Sequence, residues 1–149
     1  LVTPLPPSRG PADLKESQYC LENQFPIFVS TIALAEYAVR DRIENLPMRY
    51  FRVLPFNIDH AQVAGEFAAV AFHRRQQMPQ AITQRTIIPN DTKMFAQADV
   101  MPSVTHYLTA DEQCAALFRT ISTQAQPRFQ LLSLRTSPRS AFGELDFGD

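Results

Sequence analysis

The sequence contains no tryptophan, only four glycines and only two cysteines in 149 residues. Neither GxGxxG nor GxxxxGK[ST] occurs, which excludes the common glycine-rich phosphate loops. No segment approaches the roughly 18 consecutive apolar residues of a membrane span. No basic-then-apolar signal segment opens the chain either. We therefore expect a cytoplasmic protein that does not enter a membrane.

The cysteines and histidines show no metal-ligand spacing. Cys20 and Cys114 each fall in a segment with a helical pattern, and without a secretion signal we expect both to be buried free thiols. His60 is expected in the first turn of a helix, His73 in a last turn and His106 in a strand. No nucleophile-elbow motif accompanies them, so a Ser/His/Asp triad is not indicated.

Lysine is scarce as well, since Lys15 and Lys93 are the only two among 14 basic residues. The net charge is −1, so the chain as a whole is not a polycation. Arginine binds phosphates through its planar fork, and it forms salt bridges equally well. The candidates for contacts with a nucleic-acid backbone, which could instead be solvated helix residues, are Arg40, Arg42, Arg74 and Arg75.

The chain contains 45% hydrophobic and 19% charged residues, a composition typical of a globular domain. A chain of this length builds a single core, so we predict one domain over residues 1–136. Residues 1–12 carry four prolines and a glycine, which excludes regular structure beyond "LVT". Residues 137–149 show little periodicity and are predicted to be a loosely attached or partner-bound tail.

Strand and helix patterns alternate along the rest of the chain. Strand patterns occur in "FPIFVS", "YFRVLPF", "THYLTAD" and "RFQLLSLRT". Helix patterns occur in "LKESQYCLEN" behind the N-cap Asp13, "TIALAEYAVRDRI", "NIDHAQVAGEFAAVAFHRRQ", residues 92–100 and "EQCAALFRTISTQ". This alternation predicts an α/β fold with a largely parallel sheet flanked by helices.

Polar residues mark the exits of the predicted strands, where ligands bind in open α/β sheets. Ser30 ends "FPIFVS", and Glu36 follows almost two turns into the next helix. Asp91 precedes the helix over residues 92–100. Thr109 and Asp111 end "THYLTAD". We expect these side chains to share one edge of the sheet.

Each of the three acids also has a purely structural interpretation. Glu36 shares the apolar face of its predicted helix, so its carboxylate needs either an ion pair, for instance with Arg40, or a metal ion. Asp91 and Asp111 each precede a helix, where an aspartate N-cap contributes about 1 kcal/mol relative to alanine. Capping and metal binding are compatible, because a carboxylate has two oxygens.

Three carboxylates at one sheet edge would repel one another strongly without a cation. Hard oxygen ligands of this kind suit Mg²⁺ or Mn²⁺. Acidic clusters with such ions hydrolyse phosphodiesters. One ion activates water and a second, roughly 4 Å away, stabilises the leaving oxygen.

The order of these motifs resembles that of the PIN-domain ribonucleases, especially the VapC-type toxins of bacterial toxin–antitoxin pairs. "VSTIALAEY" supplies the strand-end serine and helical glutamate of the family as Ser30 and Glu36. "VLPF" with its helix follows, then "IIPNDTKMFAQA" with Asp91 before an alanine-rich helix. "HYLTADEQ" supplies the T-x-D strand end as Thr109 and Asp111. The resemblance spans roughly residues 1–136.

The resemblance implies a three-layer α/β/α fold with a central, mainly parallel sheet. It also implies a metal-dependent endoribonuclease in which Glu36, Asp91 and Asp111 hold one or two Mg²⁺ or Mn²⁺ ions. Ser30 and Thr109 would orient those carboxylates. The implied substrate is RNA, the implied partner is a cognate antitoxin, and such toxins commonly form homodimers.

The chain departs from the family at its start. PIN domains open with a central strand that ends in an Asp-Thr-Asn-type motif, and no such motif occurs here. The family's spacing would place it at or just before Leu1. Either that strand precedes Leu1, or "LVT" stands in its place without the acid. A non-catalytic PIN-like binding module and an unrelated α/β domain with capping acids are the alternatives.

Overall fold

A computed structural model describes residues 24–74 and 87–134 of this chain, the side chains of residues 87–89 excepted. The predicted helix "LKESQYCLEN", the strand replacement "LVT", Cys20, Arg75 and the tail 137–149 lie outside these residues.

Four strands and four helices occur in the described part of the chain. Their bounds are β1 (Ile27–Ser30), α1 (Thr31–Ala38), β2 (Phe51–Leu54), α2 (Ile58–His73), α3 (Ile87–Val100), β3 (His106–Thr109), α4 (Glu112–Ser122) and β4 (Gln130–Ser133). Two short 3₁₀ turns, Ile43–Asn45 and Met48–Tyr50, connect α1 to β2. The mixed α/β class and all four predicted strands are confirmed.

The strands pair in parallel, as predicted. β1 pairs with β2 from Ile27–Phe51 to Ser30–Leu54. β3 pairs with β4 from His106–Gln130 to Thr109–Ser133. Among the described residues these pairs form two two-stranded sheets. The union of all strands in one central sheet of a three-layer fold stays a prediction.

Two predicted helix boundaries are wrong. α1 ends at Ala38 rather than at Ile43. Beyond Ala38, Asp41 Oδ1 accepts a hydrogen bond of 2.8 Å from the backbone N–H of Arg42, a local side-chain bond that competes with helical pairing. α3 begins at Ile87, five residues before the predicted start. Pro89 falls within its first turn, where a missing backbone N–H costs the helix nothing.

The core is built around aromatic rings from α3, β3 and α4. The Phe95 ring lies edge-on to Tyr107 at 5.0 Å and to Phe118 at 5.5 Å between centroids. Phe129 lies 5.1 Å from Phe118. Phe67 of α2 packs into the same buried cluster. These large rings dominate the buried apolar area, so they fix α3 against the strands.

A buried amide joins α3 to the carboxyl ends of β1 and β2. Gln97 is 0% exposed. Its Nε2 donates to the Leu54 carbonyl at 2.8 Å, and its Oε1 accepts from the Ser30 hydroxyl. Ser30 Oγ also accepts from the backbone N–H of Ile32 at 3.0 Å, which makes Ser30 the N-cap of α1. One side chain thus sets the position of α3 relative to two strands and a helix.

We expect Gln97→Ala to lower the free energy of unfolding by roughly 2–4 kcal/mol, because it leaves a cavity and an unpaired buried carbonyl. Chemical denaturation measures the change. Gln62→Ala is the matched control, since Gln62 is exposed on α2 and its loss should fall within about 0.5 kcal/mol of wild type. Equal stability of the two variants would contradict the structural role of Gln97.

His60 lies in the first turn of α2, as predicted, and it is buried there. Its Nδ1 accepts from the Asn57 backbone N–H at 3.0 Å, while Asn57 Oδ1 accepts from the His60 backbone N–H at 3.2 Å. This reciprocal pair is a capping box. Burial lowers the pKa of His60, against a smaller opposing effect of Asp59. The neutral ring is therefore the form that caps α2.

Because the folded-state pKa of His60 lies below its unfolded value of about 6.5, the unfolded chain binds more protons on acidification. The contribution of His60 to stability is complete above that value and is lost as the pH falls. We expect His60→Gln, which preserves a capping-box side chain, to lose less stability than wild type between pH 7.5 and pH 5.5. Denaturation at the two pH values measures this difference, and identical losses would contradict it.

Candidate functional site

Asp91 lies in the second turn of α3 and is only 7% exposed. The interpretation of Asp91 as an N-cap is therefore wrong, because the helix begins four residues before it. Inside the helix its backbone is committed to helical pairing, so the side chain is free to project into the protein. An aspartate in a helix interior has no intrinsic advantage there. Its presence needs an explanation from its surroundings.

Those surroundings leave one carboxylate oxygen without a partner. Asp91 Oδ2 is buried and forms no hydrogen bond with any described residue. The Cys114 thiol is hydrogen-bonded to the carboxylate. Burial raises the pKa of that thiol well above its usual value, so it stays protonated and donates. A buried, unsatisfied carboxylate oxygen is costly.

Burial, and after it the negative charges of Asp111 and Glu36, raise the pKa of Asp91 to about 7 against the opposing hydrogen bond with Cys114. The charges of Asp111 and Glu36 therefore act on Asp91. The ionised form of Asp91 has no nearby cation to stabilise it in the described residues. A positive charge at Oδ2 would reverse this balance.

Asp111 is exposed and caps α4, so its capping interpretation is confirmed. Its Oδ1 accepts from the Gln113 backbone N–H at 2.8 Å. Its own backbone N–H donates to Thr109 Oγ1 at 3.1 Å. Thr109, which is buried, thus holds the backbone of Asp111 and also hydrogen-bonds to the Cys114 thiol. In the described structure it orients the residue through its main chain rather than through its carboxylate.

Glu36 is exposed, so its predicted place on the apolar face of α1 is wrong. α1 buries Ala33 and Leu34. The side of the helix that faces the core is therefore centred on these two residues and not on Glu36. No ion pair joins Glu36 to Arg40. Instead, Glu36 Oε1 accepts a hydrogen bond of 2.7 Å from Asn90 Nδ2.

Asn90, Cys114 and Gln97 are site residues that the sequence did not reveal. Asn90 directly precedes Asp91, and with α3 starting at Ile87 it occupies the first turn. The Ser30 hydroxyl donates its hydrogen bond to the Gln97 amide oxygen. Ser30 therefore orients this amide rather than a carboxylate. The only available signal was spacing, since Asn90 and Gln97 are seven residues apart, on one face of a helix.

Of the candidate arginines, Arg40, Arg42 and Arg74 lie in the described part of the chain and form no ion pair there with Glu36, Asp91 or Asp111. Arg40 and Arg42 are exposed just beyond α1. Arg42 Nε lies 3.8 Å from Glu44 Oε2, a solvent-exposed ion pair that contributes little to stability. Arg74 follows the last residue of α2 and is half-buried. Their contact with RNA stays a prediction.

Asp91 Oδ2 fits a hard cation, because it is a buried carboxylate oxygen with no other partner. The set of described ligands is incomplete, however. Within residues 24–74 and 87–134, no three His, Cys, Asp or Glu side chains are grouped closely enough to hold a metal ion. The described acids thus supply one buried oxygen and two charges that act on it.

Comparison of the chain with protein-family models, with curated proteins and with solved structures gives no match. No helix in the described segments is long and apolar enough to cross a membrane. Functional interpretation accordingly rests on the side chains around Asp91.

The raised pKa of Asp91 predicts that its ionised carboxylate destabilises the folded chain, by an amount that depends on pH. Between its ordinary value of 3.8 and about 7, the folded chain retains a proton that the unfolded chain releases, so stability falls as the pH rises through this range. Without divalent cations, we expect Asp91→Asn to be more stable than wild type at pH 8 by roughly 2–4 kcal/mol. Near pH 4 the difference should disappear.

Denaturant unfolding at both pH values tests this prediction. Asp59→Asn is the control, since Asp59 is an exposed acid in the first turn of α2. Its substitution should not produce a stability gain that grows between pH 4 and pH 8. A pH-independent effect of Asp91→Asn would show that the Asp91 carboxylate is not destabilised in the folded protein.

Proposed function

We propose that the chain is a metal-dependent endoribonuclease of PIN type and acts as a VapC-like toxin. One observation carries the proposal. A buried carboxylate oxygen of Asp91 has no hydrogen-bond partner among the residues that the structure describes, and the charges of Asp111 and Glu36 both act on Asp91. Proteins rarely retain such a group without a function, because an unpaired buried charge is among the most destabilising features a fold can contain. Above the pKa of Asp91, a divalent cation at this oxygen would compensate the buried charge.

Asp91, Asp111 and Glu36 would hold one or two Mg²⁺ or Mn²⁺ ions, together with the first acid that the PIN family carries. Such ions activate a water for attack on a phosphodiester and stabilise the leaving oxygen. Within the chain, Asp91 provides the buried oxygen and Asp111 a carboxylate beside the α4 N-terminus. Thr109 keeps the backbone of Asp111 in place through the 3.1 Å bond to its N–H.

RNA is the proposed substrate, which places the activity in the cytoplasm. The exposed arginines Arg40 and Arg42, with Arg74 and Arg75, would contact its phosphates. The proposed partner is a cognate antitoxin that fills the acidic site, and the proposed assembly is a homodimer. These features rest on the resemblance of the sequence to VapC-type toxins.

A non-catalytic PIN-like binding module is the second candidate. It is favoured by one observation, namely that no three potential ligands converge in the described residues. In that module the acids would keep their structural contacts, such as the Asp111 cap and the Glu36–Asn90 bond, without cutting RNA.

A cleavage assay with wild-type protein, Mn²⁺ and single-stranded RNA separates the two candidates. We expect cleavage that stops on chelation and falls at least about 100-fold in Asp91→Asn, because the buried oxygen that holds the ion is lost. Asp59→Asn should cleave at the wild-type rate. Wild-type protein that binds Mn²⁺ without cutting RNA would identify the binding module, and absence of both effects would refute the metal site.

Asp111→Asn separates capping from metal binding. Asparagine caps helices as well as aspartate does, so the stability of α4 should change by only a few tenths of a kcal/mol. Because the negative charge is lost, we expect the Mn²⁺ concentration for half-maximal cleavage to rise by about 10-fold or more. If the Mn²⁺ concentration for half-maximal cleavage is unchanged, Asp111 acts only as a helix cap.

A further inference from the structure

We infer that Asn90 is a positioning residue of the acidic site, which holds the Glu36 carboxylate beside Asp91 before a cation binds. The inference deepens the proposed function and rests on its metal site. It starts from the 2.7 Å hydrogen bond from Asn90 Nδ2 to Glu36 Oε1, which joins residues 54 positions apart in the chain. Asn90 is also the direct neighbour of the buried, unpartnered Asp91.

The bond is an exposed, outer link between α3 and the β1–α1 segment. The inner link is the buried bond between Gln97 and Ser30. Asn90 and Gln97 are seven residues apart, which is about two helical turns and about 10 Å along one face of α3. The inner link fixes the distance between α3 and the start of α1. The outer link then sets where the exposed Glu36 side chain lies relative to Asp91.

The chemistry of the amide suits this role. A donated N–H satisfies one oxygen of Glu36 and adds no charge to the acidic group. The other oxygen, Oε2, keeps its lone pairs for a cation. A free glutamate on a helix surface would lose rotamer freedom on binding a metal ion, which weakens the binding. Holding it in place beforehand reduces that loss, which is how partners of metal ligands raise affinity.

The chain contains a matched hydrogen bond that does not involve the acids around Asp91. Asn45 Nδ2 donates to Asp41 Oδ1, also at 2.7 Å and also at the surface. Asp41 is not among the charges that shift the pKa of Asp91. Its carboxylate already accepts from the Tyr37 hydroxyl and from the Arg42 backbone N–H, so this network is a local turn. Asn45→Ala therefore removes an equivalent bond away from the site.

The experiment compares wild type, Asn90→Ala and Asn45→Ala in full-length protein. Mn²⁺ affinity is measured by the metal-induced rise in melting temperature and by electron paramagnetic resonance of free Mn²⁺. We expect Asn90→Ala to bind Mn²⁺ about 10-fold or more weakly. Its melting temperature without metal should equal that of wild type, because the lost bond is exposed. Asn45→Ala should retain wild-type affinity.

A double-mutant cycle with Glu36→Ala shows whether Asn90 acts through Glu36. In the Glu36→Ala background, Asn90→Ala should have no further effect on Mn²⁺ affinity, since its partner is already absent. RNA cleavage supplies a second readout. In Asn90→Ala the rate should return to the wild-type value at saturating Mn²⁺, because the acids themselves are intact.

The outcomes separate this inference from the proposed function. If wild type binds Mn²⁺ but cuts no RNA, the nuclease proposal fails, and a weaker affinity of Asn90→Ala still supports the role of Asn90. If Asn90→Ala binds Mn²⁺ as wild type does, or loses affinity equally with and without Glu36, the inference is overturned and the nuclease proposal stands. If wild type binds no Mn²⁺, both are overturned.

Discussion

The burial of the Asp91 carboxylate in α3 is the constraint on which the rest of the site depends. Its Oδ2 is buried without a hydrogen-bond partner in the described part of the chain, and burial with two neighbouring negative charges raises the pKa of Asp91 to about 7. Such a group destabilises the folded chain unless a proton or a cation compensates it. The interactions around α3 must therefore be strong enough to hold this helix in place despite the destabilising effect of Asp91.

Two kinds of interaction hold α3 in place. The aromatic cluster around Phe95 packs α3 against β3 and α4, with ring centroids 5.0–5.9 Å apart. On the opposite side, Gln97 bonds to both Leu54 and Ser30 at the ends of β1 and β2. Apolar packing gives most of the binding energy between the elements. The buried Gln97 amide fixes the orientation of α3 relative to the strands, because its two hydrogen bonds can be satisfied in only one arrangement.

Much of the architecture was predictable from local pattern, and the errors have physical reasons. The strand "FPIFVS" and the helix after Asn57 follow from short apolar runs and from a capping residue. The start of α3 did not follow, because a proline at residue 89 is as compatible with a first helical turn as with a loop. The exposure of Glu36 did not follow either. With only eight residues in α1, two apolar neighbours do not define which side faces the core.

By itself, the sequence determined the kinds of elements, their order and the presence of an acid in or just before three of the helices, since all of these depend on residues close together in the chain. Tertiary structure alone decided that Asp91 is buried and not a cap, that its Oδ2 lacks a partner within residues 24–74 and 87–134, and that Asn90 donates to Glu36. Burial and unsatisfied atoms are properties of packing between distant segments. They arise only when helices such as α1 and α3, remote in sequence, come to lie side by side.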